Sequence, residues 1–399
     1  MKVIEINTVL RGSTGHIMQN IAKICNKNNI QCYMAVPKGR HNKKINNDNI
    51  IYIGNRFSED LHLLLGRLTG FQGCFSYFST KQFLKKIKKI KPDIIHLHNL
   101  HNCYINLPLL FEYIKKNNIK VVWTLHDCWS FTGKCPHFQI SKCNKWKKDG
   151  CNHCPQYKNY PQMYFDNSKK MYNLKKKWFL GVKNLTLVTP SKWLLNLTKQ
   201  SFLKPYPIKV INNGVDLNIF KPVKNNFREQ YNIQNKYILL GVAFPWSKRK
   251  GLDVFCELSK RLENKYQIVI VGTNDNIDKL LPNNIIAIHK TNNQQELAKI
   301  YSAADLFINP TKEENYPTVN MESIACGTPV LTFDTGGSKE MLDNTCGDYV
   351  DCNDIDSLIK KIKEICETKK YSTKACQKKS KEYNMNDRFE EYIKLYKNL

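Results

Sequence analysis

The sequence predicts an α/β protein built from two parallel-sheet domains, and three observations predict it. Short β-branched runs alternate with amphipathic helical stretches along nearly the whole chain. The rhythm breaks between Lys204 and Pro222, where Pro205, Pro207, the turn Asn213-Gly214 and Phe220-Lys221-Pro222 read as a connection, and then restarts. The length, 399 residues, suits two or three domains of ~150 residues, each able to bury its own core.

The elements follow in order. Lys2 to Asn7 reads as a strand, and GSTGHIMQNIAKICNK as a Gly-rich turn opening a helix. QCYMAVP and NIIYIG are further strands; TKQFLKKIKKI is a helix with an apolar stripe; PDIIHLH is a strand that closes on polar residues. LPLLFEYIKKNN (helix), KVVWTLHD (strand), NLTLVTP (strand) and SKWLLNLTKQSF (helix) complete the first half. After the connection come KYILLGVAF, QIVIVG, NIIAIHK, DLFINP and TPVLTFD as strands, interleaved with the helices KGLDVFCELSKRLEN, QELAKIYSAA and MESIACG. The expected boundaries are a first domain over 1–205 with a cysteine-rich insert at 128–156, a second over 206–380, and a charged amphipathic helix over 381–399 able to fold back on the first domain. Two such domains enclose a cleft, and open parallel sheets bind ligands at the carboxyl ends of their strands.

Composition narrows the class. With 42% hydrophobic residues the chain is not disordered, and its longest apolar stretches, such as Tyr237 to Phe244, fall far short of a membrane span of ~20 residues. MKVIEINTVL places Glu5 inside the first apolar run and then meets Gly12, which suits a first strand and not a secretory signal, so a cytoplasmic protein is expected. The 62 Lys+Arg against 34 Asp+Glu give a net charge of +28. That charge is spread through helices such as KKIKKIK and LKKKW, not interleaved with aromatic residues as a nucleic-acid face would be.

The strongest chemical signal is PTKEENYPTVNMESIACG, from Pro310 to Gly327. Pro317 suits the first position of a helix and Gly327 the position past its end, so the helix runs from about Pro317 to Cys326. Glu314 then lies just before its N-terminus and Glu322 in its second turn. Free N–H groups there attract phosphate and hydroxyl oxygens, and the two carboxylates can accept from sugar hydroxyls. Asp354-Ile355-Asp356 sits at the start of a late helix, where Asp is an ordinary cap. No carboxylate or cysteine supports His96, His98 and His101 in HLHNLH as metal ligands, which favours cleft lining or acceptor contact over a metal site. Of fifteen cysteines, Cys128, Cys135, Cys143, Cys151 and Cys154 crowd into one segment; four of them, Cys135, Cys143, Cys151 and Cys154, fit a structural tetrahedral Zn²⁺, with free or disulfide-paired thiols as the alternative. Cys128 reads as packing.

Glu314, seven intervening residues and Glu322, followed by Ala325-Cys326-Gly327-Thr328-Pro329-Val330, resembles the E-x7-E signature of the retaining glycosyltransferases of family 4. Gly12-Ser13-Thr14-Gly15, Pro92-Asp93-Ile94-Ile95-His96-Leu97-His98, Thr124-Leu125-His126-Asp127, Asn213-Gly214-Val215-Asp216, Lys250-Gly251 and Asp334-Thr335-Gly336-Gly337 with Glu340 are similar to further family motifs, in the family's order. The insert, with Trp129-Ser130-Phe131-Thr132-Gly133-Lys134-Cys135 and Trp146-Lys147-Lys148-Asp149-Gly150-Cys151, resembles one in bacterial members from polysaccharide gene sets for capsule and lipopolysaccharide.

The resemblance implies a GT-B fold of two Rossmann-like domains facing a cleft. It also implies transfer of a sugar from a nucleotide-diphosphate donor to a saccharide or polyprenyl-linked saccharide, with no catalytic metal. By position, Glu314 contacts the donor sugar, Glu322 the nucleotide ribose and Lys250 the diphosphate, while His126 lies near the reacting carbon. His126, Glu314 and Lys250 are the expected catalytic residues. Gly12, Gly15, Arg249, Asn315, Tyr316, Pro317 and Thr318 join the donor site, and His98 and Asp127 lie on the acceptor side. The family's arginine at a G-R-x strand end is absent, since the strand ends Gly241-Val242-Ala243; Arg249 or Lys248 can take its place. Front-face attack is favoured, with the leaving phosphate helping to deprotonate the acceptor. A nucleotide-sugar epimerase on the same architecture and a zinc-containing nucleic-acid binder are the alternative functions. The positive charge suits a peripheral position at the anionic inner face of the plasma membrane. The oligomeric state is not readable from the sequence.

Overall fold

The computed structural model describes all residues except Arg40, His41, Lys43, Lys44, Asn46 and Asp149, so Asp149 of the insert motif lies outside the described residues. Two compact units emerge: Met1–Asn212 with Phe389–Leu399, and Asn213–Arg388.

The first unit holds a parallel sheet of β1 (Lys2–Ile6), β2 (Gln31–Pro37), β3 (Ile50–Ile53), β4 (Ile94–Leu97), β5 (Lys120–Thr124), β6 (Leu185–Thr189) and β7 (Ile208–Val210). Its seven strands lie in the order β3-β2-β1-β4-β5-β6-β7. The register pairs Val3 with Cys32 on one side and with Ile94 on the other. Helices on both faces bury the central strands β1, β4, β5 and β6 almost throughout, which is why these strands are largely apolar. Trp123 marks the density of this core: 1% exposed, its ring lies 4.9 Å from Phe179 and 5.8 Å from Phe111. The indole N–H donates to the His98 carbonyl at 3.0 Å.

The second unit repeats the plan with β8 (Tyr237–Val242), β9 (Tyr266–Val271), β10 (Ile285–Ile288), β11 (Leu306–Asn309), β12 (Val330–Phe333) and β13 (Gly347–Val350), in the order β10-β9-β8-β11-β12-β13. Both sheets therefore turn back on either side of their first strand, the doubly wound pattern in which loops at the switch point hold ligands.

Two strands escaped the sequence reading. β7 lies inside the segment taken for a connection, so the boundary falls after Asn212 and not at residue 205. Pro205 and Pro207 obscured it, yet an edge strand tolerates prolines at its margin because it bonds on one side only. β13 is nearly as short, pairing Gly347 to Val350 with β12 at an edge of the second sheet. The last helix, Met385–Lys397, buries Phe389, Tyr392, Ile393, Leu395 and Tyr396, and its Phe389–Leu399 stretch belongs to the first unit. No helix of the described residues is long and apolar enough to cross a membrane.

Candidate functional site

In the second unit the site is built on the loop that leaves β11. Asn309 donates to Asn320 at 2.8 Å, and Thr311 donates to Asn309 at 2.6 Å, which fixes the loop against the helix it feeds. That helix spans Thr318–Ala325 with Pro317 at its N-cap, and Gly327 beyond its end has φ +84°. Glu314 precedes the helix and aims at Lys250: Oε2 and Nζ are 2.6 Å apart, both side chains about one-fifth exposed. Its other oxygen accepts from the Asn315 N–H at 3.0 Å.

Two glycines permit this approach. At Gly336 (φ +59°) a Cβ would overlap the Glu314 carbonyl oxygen, and at Gly251 (φ +81°) one would meet the Pro310 carbonyl. The Lys-Gly and Gly-Gly pairs are thus points where two loops pass against the β11 loop. The Arg249 guanidinium donates to the Glu313 carbonyl at 3.0 Å, holding Arg249 beside Lys250 on the same turn. Asn315 accepts from the Gly337 N–H at 2.7 Å, and the Tyr316 carbonyl accepts from Asn213 at 3.3 Å. Glu322 accepts from the Tyr301 hydroxyl at 3.1 Å. Burial pushes its carboxyl up to about 7, against the opposing hydrogen bonds of Tyr301 and Thr318. Asp354 caps the helix Ile355–Thr368, accepting from the Ser357 N–H at 3.0 Å.

In the first unit, Gly12 (φ +77°) opens the helix Gly12–Lys27 on the loop after β1, and the N-cap residue Arg11 makes no side-chain cap hydrogen bond. A Cβ on Gly15 would overlap the Leu10 backbone, so this turn too needs glycine. At the ends of β4 and β5, His98 Nδ1 lies 2.9 Å from His126 Nε2. Asp127 pairs with His101 at 3.1 Å and accepts from the Trp129 N–H at 2.8 Å. Burial alone would raise the Asp127 carboxyl, but His101 and these hydrogen bonds outweigh it and hold it below the ordinary carboxylate value. Burial pushes His126 down to about 4, against the pull of Asp127. His98, His126 and Asp127 border one small pocket with His101 and Trp129.

The histidine run needs a correction. The run is expected to lack a supporting carboxylate, yet Glu5 Oε1 lies 3.3 Å from both His96 Nδ1 and His98 Nε2, while His101 turns away to Asp127. Adjacent parallel strands place residues 5 and 96 side by side. The one available signal was a lone acid inside an apolar first strand.

The insert carries little regular structure beyond single turns at Trp129–Phe131 and Lys145–Lys147. Two buried lysines hold it. Lys134 donates to the Gln156 and Asn159 carbonyls, both at 2.8 Å. Lys175 donates to the Trp129 carbonyl at 2.7 Å and that of Thr132 at 3.1 Å, and its Nζ lies 3.4 Å from the Trp129 ring centre. Cys135, Cys143, Cys151 and Cys154 line one pocket against Trp146. The Cys135 and Cys154 sulfurs are 3.9 Å apart, and Cys151 Sγ accepts from the Gly133 N–H. All fifteen cysteines stand as free thiols. Cys128 is buried in the apolar core. Among the described residues only Glu5, His96 and His98 bring three ligand atoms within 4.8 Å of one another.

Two doubly wound sheets, one ending in a Glu-x7-Glu helix start beside a Lys-Gly turn, define a GT-B glycosyltransferase. Solved structures share the fold: sucrose-phosphate synthase of Thermosynechococcus elongatus at TM-score 0.75 and 16% identity, covering 100% of this chain and 98% of that one, and Anabaena HepE in complex with UDP at 0.70 and 15%, covering 100% of both. The family model "Glycosyl transferases group 1" matches residues 223–383 and "Glycosyltransferase Family 4" residues 64–219. The chain belongs to the family 4 glycosyltransferases. It is 24% identical over 320 residues to the putative colanic acid biosynthesis glycosyl transferase WcaC of Escherichia coli K12, covering 77% of each. It is 27% identical over 209 residues to the N,N'-diacetylbacillosaminyl-diphospho-undecaprenol alpha-1,3-N-acetylgalactosaminyltransferase of Campylobacter jejuni, covering 49% of this chain and 55% of that one.

Proposed function

We propose that this chain transfers a sugar, with retention, from a nucleoside-diphosphate donor to a saccharide or polyprenyl-linked saccharide in bacterial surface polysaccharide synthesis. The observation that carries this reading is the Lys250–Glu314 pair at the start of the helix Thr318–Ala325. A diphosphate arriving there exchanges the carboxylate partner of Lys250 for phosphate oxygens, and Glu314 is released to accept from donor-sugar hydroxyls. Arg249 supplies the second cation in place of the family arginine. Glu322 accepts from the ribose, and the helix N–H groups after Pro317 receive remaining oxygens. His126 and Asp127, with Gly12 and Gly15, serve the sugar and the acceptor. Thermal shift with a panel of nucleotide sugars identifies the donor, because a true donor stabilises the native state by mass action. Lys250→Ala and Glu314→Ala are expected to abolish transfer while remaining folded; full activity in both overturns the assignment.

Two further parts of this reading concern what the protein holds and where it works. The 3.9 Å spacing of Cys135 and Cys154 is close to the ~3.8 Å edge of a tetrahedron with ~2.3 Å Zn–S bonds, which supports a structural Zn²⁺ drawing in Cys143 and Cys151. One equivalent of zinc in the purified protein, lost in Cys135→Ser, is the expected result. On the helix Arg56–Thr69, Phe57, Leu61, Leu64 and Leu68 form one exposed stripe at helical spacing. The helix Tyr77–Ile90 exposes Phe78 followed by Lys81, Lys85 and Lys88. Apolar side chains beside lysines support docking on an anionic bilayer. Binding to vesicles containing anionic lipid, weakened by Phe57→Ser with Phe78→Ser, tests it.

A further inference from the structure

Glu5 is fully buried in the middle of the first sheet, 0% exposed. Cys25, Cys32, His96, His98, Tyr392 and Tyr396 surround it, all thiols, imidazoles and phenols. The Cys32 thiol donates to Oε2 at 3.4 Å. On its other side Oε1 lies 3.3 Å from His98 Nε2, and His98 Nδ1 continues to His126 Nε2 at 2.9 Å with the two rings stacked at 12°. His126 is partly exposed. A buried acid is thus wired through one imidazole to a second, partly exposed imidazole.

The direction of these hydrogen bonds follows from the surroundings. An ionised carboxylate among neutral groups is costly, so the acid keeps its proton. Burial, reinforced by Cys25 and only partly opposed by Cys32, pushes the Glu5 carboxyl well up, and burial likewise holds His98 and His96 neutral. His96 has partners of its own: the Tyr396 hydroxyl at 2.7 Å from Nδ1 and Thr124 Oγ1 at 2.8 Å from Nε2, with Tyr392 beyond Thr124 at 3.1 Å. With Tyr396 donating to His96 Nδ1, the Glu5 proton goes to His98 Nε2. Neutral His98 then carries its own proton on Nδ1 and donates it to His126 Nε2.

We infer that Glu5, acting through His98, fixes the tautomer of His126, placing its ring proton on Nδ1 and making that nitrogen a hydrogen-bond donor toward the sugar. Only the last step, contact with the sugar, rests on the function proposed above. Glu5 and His98 are positioning residues. The sense is opposite to that of an ionised acid accepting from an imidazole, and a backward-facing tautomer would present a lone pair where a donor is needed.

Long-range ¹H–¹⁵N spectra of the full chain, labelled at histidine and recorded at neutral pH, read the tautomers directly, with His98→Gln and His126→Gln assigning the signals. The expected result is Nδ1–H for both His98 and His126. Glu5→Gln keeps it, since the amide N–H donates to His98 in the same sense. Glu5→Leu removes the donor and lets His126 populate Nε2–H; should that variant fail to fold, Glu5→Met reads the same shift. Transfer in the folded apolar variant is expected to fall by about tenfold or more and to be restored in Glu5→Gln. Nε2–H in the native protein, an unchanged His126 tautomer in the apolar variant, or a stoichiometric metal lost on Glu5→Gln overturns the inference. Because Lys250→Ala tests the donor site separately, loss of transfer there with an unmoved tautomer defeats the relay alone. A shifted tautomer with unchanged transfer removes His126 from the reaction.

Discussion

The two sheets share a strand order but handle their polar residues in opposite ways. In the first unit the polar groups run down into the sheet: Glu5 and His96 are fully buried on β1 and β4, and Tyr392 and Tyr396 close over them. In the second unit β8, β9, β11 and β12 stay largely apolar at their centres, and chemistry begins only where β11 gives way to the Glu314 loop. The candidate site residues in the first unit are therefore part of what holds it folded, whereas those in the second are carried by a core that does not need them.

Trp123→Ala should show the first half of this contrast most strongly. It removes a fully packed indole and the donor to the His98 carbonyl, and about 3–5 kcal/mol of stability should go with it in denaturant unfolding. His96→Ala comes next, at about 2–3 kcal/mol, because the Tyr396 and Thr124 hydroxyls lose a buried partner. Lys250→Ala is the matched test in the second unit. Its pair with Glu314 is partly exposed, so stability should change by only about 0–1 kcal/mol while transfer is lost. A Lys250→Ala variant as unstable as His96→Ala would erase the distinction.

The smallest effect is one of pH. The Glu322 carboxyl is raised in the folded state, so its contribution is fully present at acid pH and is lost as pH rises from about 4.5 through about 7. Relative to Glu322→Gln, the native chain should lose stability across that window, measured as a shrinking difference in urea midpoint. A difference that stays flat with pH would place Glu322 outside the buried environment described here.

How much was legible follows the same divide. The second site sits on one continuous stretch, Pro310 to Gly327, where proline, two glutamates and glycine mark loop, helix start and helix end in local sequence. Its pairing with Lys250 was reachable through the family resemblance, though only the structure explains Gly251 and Gly336 as places where a side chain would strike the neighbouring loop. In the first unit His98, His126 and Asp127 were picked out, but Glu5 stands 93 residues from His98 and Tyr396 stands 300 from His96, and no local spacing encodes such contacts. The cysteines were legible as a cluster; the lysines that anchor the insert, Lys134 and Lys175, looked like ordinary surface charge in a lysine-rich chain.

The sequence by itself determined the two α/β halves, the glutamate-bearing helix start and the cysteine cluster, because alternating apolar periods and turn residues act over a few positions. Only the tertiary structure decided where the halves divide, since β7 becomes a strand by pairing with β6 and not by its own three residues. Tertiary structure alone also made Glu5, His98 and His126 into one hydrogen-bonded chain and set Tyr396, His96, Thr124 and Tyr392 into a second one beside it. Burial removes water as a partner, so each of these groups must find another one across the sheet, and sequence distance has no part in that requirement.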